Sequence, residues 1–359
     1  RTLGMHRVYN SAFMNMLKME ENQKYRQTIK NVLEFSPEIL QRFVNFMNNP
    51  DEDTAEAQFG KDDKYFGVAV LMVTMPGLPM IGHGQVEGYT EKYGMEYRRA
   101  YYDEAPDEGL ILRHEREIFP LMRLRHIFSG SAEFSFFDLV NPDGWVDENV
   151  FAYSNRAGDG RAVIIYQNAS NHTEGRVHWS TSRNVGTVDD VTLRQKSIGE
   201  ALDLRTDANC YYIYRDARTG LEYLEHAPRI HREGIFVRLG SYQYAALLDW
   251  RPVFDMDLSW GRLHGNLGGQ GVPSIDDAYQ ELYLAPLLGP FGALMHGKIL
   301  RAIHDKKGNL ANVPDFKARV DDFLDALATR LDIEIDPEPF IAEIQQDLDA
   351  IYSCQGHLK

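Results

Sequence analysis

From Glu20 to Phe43 a polar background carries Tyr25, Ile29, Val32 and Leu33 on one helical face, which predicts a helix. Arg42 to Asn48 is short, apolar and aromatic. It reads as a strand that Pro50 ends, because proline has no N–H to give to a sheet ladder. Lys64 to Met75 reads as a buried helix halted by Pro76 and Gly77, and Leu78 to Gly84 as a short apolar run bounded by glycine. Glu108 to Phe128 returns to helical spacing through Ile111, Ile118, Leu121, Met122 and Leu124. Strand and helix alternate through this region, the pattern of a parallel sheet with covering helices.

Past Ser129 the period changes. Short β-rich runs recur between turn signals, at Val150–Tyr153, Ala162–Tyr166, Tyr211–Tyr214, Ile235–Arg238 and Tyr242–Leu248, and predict an antiparallel β-sandwich. Asp216 to Gly220 supplies a glycine-ended loop suited to a hairpin. From Arg251 helical spacing returns, through Phe316, Val320, Phe323, Leu324, Leu327 and Leu331 and then Phe340, Ile344, Leu348 and Ile351. The expected fold class is therefore α/β plus all-β, in three parts: an α/β segment over 1–130, a β-sandwich over 131–250 and a helical extension over 251–359.

The 359 residues rule out a single small module, and 43% hydrophobic with 25% charged residues is the composition of a globular chain. Lys and Arg number 38 against 53 Asp and Glu, so the net charge of −15 repels an extended phosphate backbone and argues against a nucleic-acid partner. The longest apolar stretch, Phe66 to Pro79, falls short of the ~20 residues a bilayer span needs, so no membrane association is read. Cys210 and Cys354 are too few for a disulfide framework, and buried thiols are expected. No basic and apolar leader follows Arg1, and a cytoplasmic location is favoured; the patterns at Asn168–Ser170 and Asn171–Thr173 fit N-glycosylation but do not decide location.

The chemistry-bearing residues cluster after the apolar strands. Asn49 and Asp51 lie two apart at the end of the first long strand and face one side of an extended backbone. Taken alone, the run Asp51–Asp53 reads as a solvated loop, and it lacks the glycine and closing glutamate of a calcium loop. His114 and Glu117 share a helical face but read as an exposed, ion-paired surface, so no metal and no cofactor are expected. Trp145, Tyr153, Tyr166 and Trp179 are read mainly as core aromatics of the sandwich.

The order of elements supplies what the residues alone do not. Phe46-Met-Asn-Asn-Pro-Asp51, a helix, Met75-Pro-Gly-Leu-Pro-Met-Ile-Gly-His-Gly-Gln85, a second helix containing Phe119 to Arg125, and then an all-β region resemble the α-amylase superfamily of glycoside hydrolases. The resemblance covers about Arg1 to Leu248. It implies that the chain is the C-terminal portion of a TIM-type (β/α)8 barrel followed by the all-β domain, with Met5–Asn10 as the sixth strand, Glu20–Phe43 the sixth helix and Phe46–Asp51 the motif that ends the seventh strand. Asn49 and Asp51 match the Asn and Asp of the family's Phe-x-x-Asn-His-Asp motif, while Pro50 stands where its His would be. The resemblance gives Asp51 the role of a transition-state-stabilising carboxylate that points into a sugar cleft beside Gln85. Gln85 matches the family's Gln; His83 and Glu87 are further candidates to line the substrate site.

The family's nucleophile and acid/base belong to strands that would precede Arg1. Retaining hydrolysis needs two carboxyl groups about 5–5.5 Å apart across the scissile bond, and neighbouring acids on one loop cannot span a sugar that way. The expectation is a glycoside hydrolase, hydrolysing or transferring α-glucosidic bonds of an α-glucan or oligosaccharide, of which this chain alone is inactive. The alternative is a non-catalytic carbohydrate-binding or interaction protein with the same fold, an option that Pro50 keeps open. Oligomeric state is not specified by the sequence.

Overall fold

The structure, a computed structural model, describes residues 6–95 and 98–354. It divides into two compact units, one through Ile275 and one from Asp276 onward.

The first unit opens with three short parallel strands, β1 (Val8–Tyr9), β2 (Phe43–Phe46) and β3 (Leu78–Met80), paired in that order. Helices α1 (Ser11–Lys18) and α2 (Asn22–Phe35) cross from β1 to β2, and α3 (Ala55–Phe59) and α4 (Asp63–Thr74) from β2 to β3. The predicted helical stripe is the buried one: Tyr25, Ile29 and Leu33 face the core, and the helix stops at Phe35, before Pro37. Thr54 caps α3 by accepting the Ala57 N–H. From Tyr65 to Thr74 every residue of α4 is buried, so this helix has apolar neighbours all round and shows no amphipathic stripe. The helical stretch after it is broken into α5 (Glu108–Glu117), α6 (Phe119–Arg123) and α7 (Arg125–Phe128), with Pro120 in the first turn of α6 separating α6 from α5.

The all-β region is one continuous antiparallel sheet among the described residues, where two separate layers were expected. Its strands are β4 (Ser135–Val140), β5 (Val150–Ala157), β6 (Gly160–Gln167), β7 (Thr173–Ser180), β10 (Cys210–Asp216), β11 (Glu222–His226), β12 (Ile235–Leu239) and β13 (Tyr244–Phe254). They run in the order β11-β10-β13-β6-β5-β4-β7-β12. A separate ribbon of β8 (Arg183–Asn184) and β9 (Leu193–Arg194), with helices α8 (Ile198–Ala201) and α9 (Ala227–Glu233), decorates it.

The sheet has two cores, one per face. Phe137, Val150, Ala152, Val163, Ile165, Ala245 and Leu247 turn into its own hollow. Their neighbours Phe136, Phe151, Tyr153, Ile164, Tyr166, Ala246 and Leu248 join the core built by α2 and α4. Burial on both sides is why these strands read as unbroken apolar runs. Tyr153 and Tyr166 are buried, whereas Trp145 and Trp179 are exposed.

The expected boundary at 251 moves. Strand β13 runs on to Phe254, α10 (Ser259–Leu267) follows, and Val272 pairs with Glu222, so this stretch belongs to the first unit. The second unit contains α11 (Ile275–Leu294), α12 (Gly297–Asp305), α13 (Phe316–Leu331) and α14 (Pro337–Cys354) around Ile299, Leu310, Phe316, Val320 and Leu324. Cys210 is buried but Cys354 is exposed, contrary to the expectation of two buried thiols. Among the described residues no helix is long and apolar enough to cross a membrane.

Candidate functional site

In a parallel sheet every strand delivers its following loop to the same edge, and ligands gather where those loops meet. Here the loops after β2 and β3 meet at Asn48. Its buried side chain donates from Nδ2 to the His83 carbonyl at 3.3 Å. A Cβ on Gly82 would stand 2.3 Å from Asn48 Oδ1, so this close approach requires glycine. Gln58 fixes the other side of the loop, donating from Nε2 to the Met47 and Asp53 carbonyls at 2.8 and 3.0 Å.

Asn49 is buried, and its Oδ1 accepts the backbone N–H groups of Asp51 and Glu52 at 2.8 and 3.0 Å. This Asx turn spends the side-chain oxygen on local geometry and turns the chain so that Asp51 emerges. Asp51 is exposed rather than enclosed, and its carboxylate has no hydrogen-bond or ion-pair partner among the described residues. Its backbone carbonyl accepts from Lys92 Nζ at 2.9 Å, which ties the loop to the segment that follows β3.

Gln85 corrects the expectation of a lining residue. It is 2% exposed; its Oε1 accepts the Gly82 N–H at 3.2 Å and its Nε2 contacts Met47 Sδ at 3.5 Å. The amide therefore closes the β3 loop from within. His83 is exposed, with its ring 4.7 Å from that of Tyr93 and 6.1 Å from that of Tyr89. Glu87 is half-buried, and its backbone carbonyl accepts the Asp107 N–H at 2.9 Å.

Beneath this edge lies a polar network that the sequence reading placed on a solvated helix face. His114 and Glu117 are buried, 1% and 7% exposed. The Tyr65 hydroxyl donates to the Gln85 carbonyl at 2.6 Å and also lies 3.1 Å from His114 Nε2. A carbonyl only accepts, so the 2.9 Å contact of His114 Nδ1 with the Leu110 carbonyl places the proton on Nδ1. Burial lowers the His114 pKa, outweighing the opposing effects of that bond and of the negative charge on Glu87. Burial also pushes the Tyr65 hydroxyl far above its usual range. Among the described residues no group of three or more His, Cys, Asp or Glu side chains is arranged to hold a metal ion.

The loop from Gly88 to Asp107 was not read as part of the site. Its acids organise the backbone. The Glu104 carboxylate accepts the Thr90 and Glu91 N–H groups at 2.8 and 3.1 Å, and Glu91 accepts those of Tyr101 and Tyr102 at 2.9 and 3.0 Å. Burial would raise the Glu104 pKa, but these bonds hold it below the usual carboxylate range. The loop thereby presents Tyr93, Tyr101 and Tyr102 to solvent. The available signal was compositional: aromatic residues among Gly, Thr, Glu and Lys just past a strand's C-terminal end. The edge thus combines an unpaired carboxylate, a lysine tether and an aromatic loop, groups suited to accepting hydrogen bonds from hydroxyls and packing against ring faces.

No protein-family model matches the sequence, and none of the curated proteins matches it in sequence. Solved structures to which the chain is similar include a debranching enzyme from Nostoc punctiforme, soaked with acarbose, at 14% identity and a TM-score of 0.41. That match covers 63% of this chain and 38% of the other. The α-amylase of Geobacillus thermoleovorans complexed with acarbose is 13% identical, with a TM-score of 0.41 over 63% of this chain and 43% of that one. An Anoxybacillus α-amylase is 10% identical, with a TM-score of 0.43 over 68% and 47%. The chain therefore spans about two fifths to one half of the length of these similar structures.

Proposed function

We propose that this chain is the C-terminal part of a retaining glycoside hydrolase of the α-amylase type, acting on α-glucosidic bonds of an α-glucan or oligosaccharide by hydrolysis or transfer. The observation that carries the reading is Asp51: an exposed carboxylate without a partner among the described residues, delivered by the Asn49 turn to the C-terminal edge of a parallel sheet. A carboxylate held there accepts hydrogen bonds from sugar hydroxyls, and those bonds strengthen as positive charge develops on the ring. Pro50, in place of an imidazole, removes one polar contact to the sugar and shifts recognition toward the His83–Tyr93 pair and the tyrosines of the following loop. Asn49 and Gln85 act as positioning residues, through the backbone they hold.

The open edges of the sheet support the reading of an incomplete barrel. Val8 and Tyr9 on β1 are about half exposed, and so is Leu78 on β3, an arrangement that sheets avoid by pairing. In this proposal further strands complete both edges and bring the nucleophile and the acid/base, which one loop cannot supply.

The test compares this chain with the polypeptide that completes the sheet, using maltotriose and an aryl α-maltoside. The chain alone is expected to release no product, and the completed protein to turn over with retention. Asp51→Asn in the completed protein should lower kcat/KM by about 100-fold or more with an unchanged melting temperature. Unchanged turnover, or inversion at the anomeric carbon, would reject the assignment.

A further inference from the structure

The eight-stranded sheet curls until its edge strands β11 and β12 border one opening, where a cavity of about 480 Å³ reaches the sheet's hollow. This cavity lies on the all-β part of the first unit and shares no lining residue with the Asp51 edge. We propose that it binds a small organic anion, a carboxylate or phosphate carried on a compact apolar body.

Charge is the first argument. Four arginines line the cavity, Arg176, Arg218, Arg229 and Arg238, against two carboxylates, Asp216 and Glu225. Among the side chains that line the cavity cations therefore outnumber carboxylates, in a chain of net charge −15. Three of the arginines are engaged: Arg229 with Glu233 at 3.0 Å, Arg176 with the same carboxylate at 3.5 Å, and Arg238 with Glu174 at 2.7 Å.

Arg218 differs. It has no carboxylate partner among the described residues; its guanidinium lies 6.0 Å from the centre of the Tyr244 ring, and its Nε is buried without an acceptor. Asp216, two residues earlier, does not satisfy it. That carboxylate is taken up by the N–H groups of Ala246 and Arg218, both at 3.1 Å, and by the Thr219 hydroxyl at 3.0 Å. Arg218 lines the cavity half-buried and without a carboxylate partner among the described residues, and a planar guanidinium fits the two oxygens of a carboxylate or phosphate. An anion would pair with that charge, and a neutral ligand would not.

The cavity floor sets the rest of the ligand. Leu239, Ala245 and Leu247 line it, apolar residues of the sheet's hollow, so a ligand anchored by its oxyanion at Arg218 lays an apolar body against them. The volume suits a molecule of about one ring, since pockets for small ligands run from about 300 to 1,000 Å³. Tyr214 and Tyr223, stacked with centroids 5.6 Å apart, form one wall, and Gly268 and Gly269 another.

Calorimetric titration of the full chain with phenyl phosphate, benzoate, inorganic phosphate and maltose tests this. Saturable binding of phenyl phosphate or benzoate is expected, about tenfold or more tighter than that of inorganic phosphate, with no displacement by maltose. The stronger of the two aryl anions identifies the oxyanion. Arg218→Met should weaken the aryl anion by about tenfold or more, and Arg218→Lys, which keeps the charge but loses the fork, by several-fold. Thermal melts of both variants check that the fold is intact. Absence of saturable binding by either aryl anion, equal affinity for inorganic phosphate, or unchanged binding in the variants would each overturn the proposal. None of these outcomes bears on the role of Asp51.

Discussion

At the scale of single residues, Gly67 shows how a contact overrides a propensity. Glycine in the middle of a helix normally costs about 0.5–1 kcal/mol relative to alanine. At this position in α4, however, a Cβ would stand 1.9 Å from Tyr166 Cε2 on strand β6. The ring cannot swing aside, because Tyr166 is fully buried and its hydroxyl donates to Asn168 Oδ1 at 2.9 Å. Gly67→Ala is therefore expected to destabilise the protein by about 1–3 kcal/mol, overpacking outweighing the helical gain. A urea-denaturation midpoint that rises instead would show that α4 and β6 are not in this contact. The same scale explains why only part of the site was legible. Asn49, Asp51 and Gln85 are equally polar in sequence, but Asn49 and Gln85 spend their side-chain oxygens on backbone N–H groups only two or three residues away, in turns whose shape the hydrophobic pattern does not encode. Periodicity marks where a strand ends; it does not say which polar side chain beyond it is spent on the backbone.

At the scale of elements, Glu117 joins α5 to β13. It accepts from Arg113 Nε at 3.0 Å, from Arg116 at 2.7 Å and from the Tyr244 hydroxyl at 2.9 Å. Burial would raise its pKa, but these three donors outweigh burial and hold it below the usual carboxylate range. A folded-state pKa below the unfolded one contributes stability that is fully present above about pH 4.5 and is lost as pH falls through the folded value. His114, one turn earlier, adds a loss of the same sign at higher pH, since its lowered pKa means that the unfolded chain takes up a proton first below about 6.5. Glu117→Gln should cost about 1–3 kcal/mol at pH 7 and reduce the stability difference between pH 7 and pH 3.5. An equal pH dependence in variant and parent would rule out this linkage. The helical period was readable here and the buried face was not: His114-Glu-Arg-Glu117 has the composition of a solvated stripe, and the neighbours that bury it, Phe66 and Tyr244, come from distant parts of the chain.

At the scale of the whole first unit, the question is whether the α/β layer and the antiparallel sheet are separable bodies. Their shared core argues against it: Phe136, Phe151, Ile164 and Tyr166 from the sheet pack in one cluster with Ile29, Leu33, Phe66 and Val70. Separating the layers would expose both sides of that cluster at about 25 cal/mol per Å². The change from helical to strand periods near residue 130 was legible as a change of architecture, but a period says nothing about the second face of a strand, and that face carries the junction. A polar clasp crosses it as well. Arg26 of α2 is fully buried, with Nε 2.8 Å from Glu148, further bonds to Asp138 and the Val150 carbonyl, and its guanidinium 5.3 Å from the centre of the Phe136 ring. Breaking a buried pair by removing one partner typically costs about 3–5 kcal/mol, and the partial exposure of both carboxylates places Arg26→Met near the lower end. Asp138 also meets Lys30 at 3.0 Å, so Asp138→Asn alone should cost less. If the clasp joins two layers that fold together, the double variant will be less destabilised than the sum of the single ones by about 1–3 kcal/mol, and each variant will still unfold in one transition by near- and far-ultraviolet circular dichroism. Additive costs, or two separate transitions, would mean that α2 reports only on its own layer and that the sheet is an independent domain.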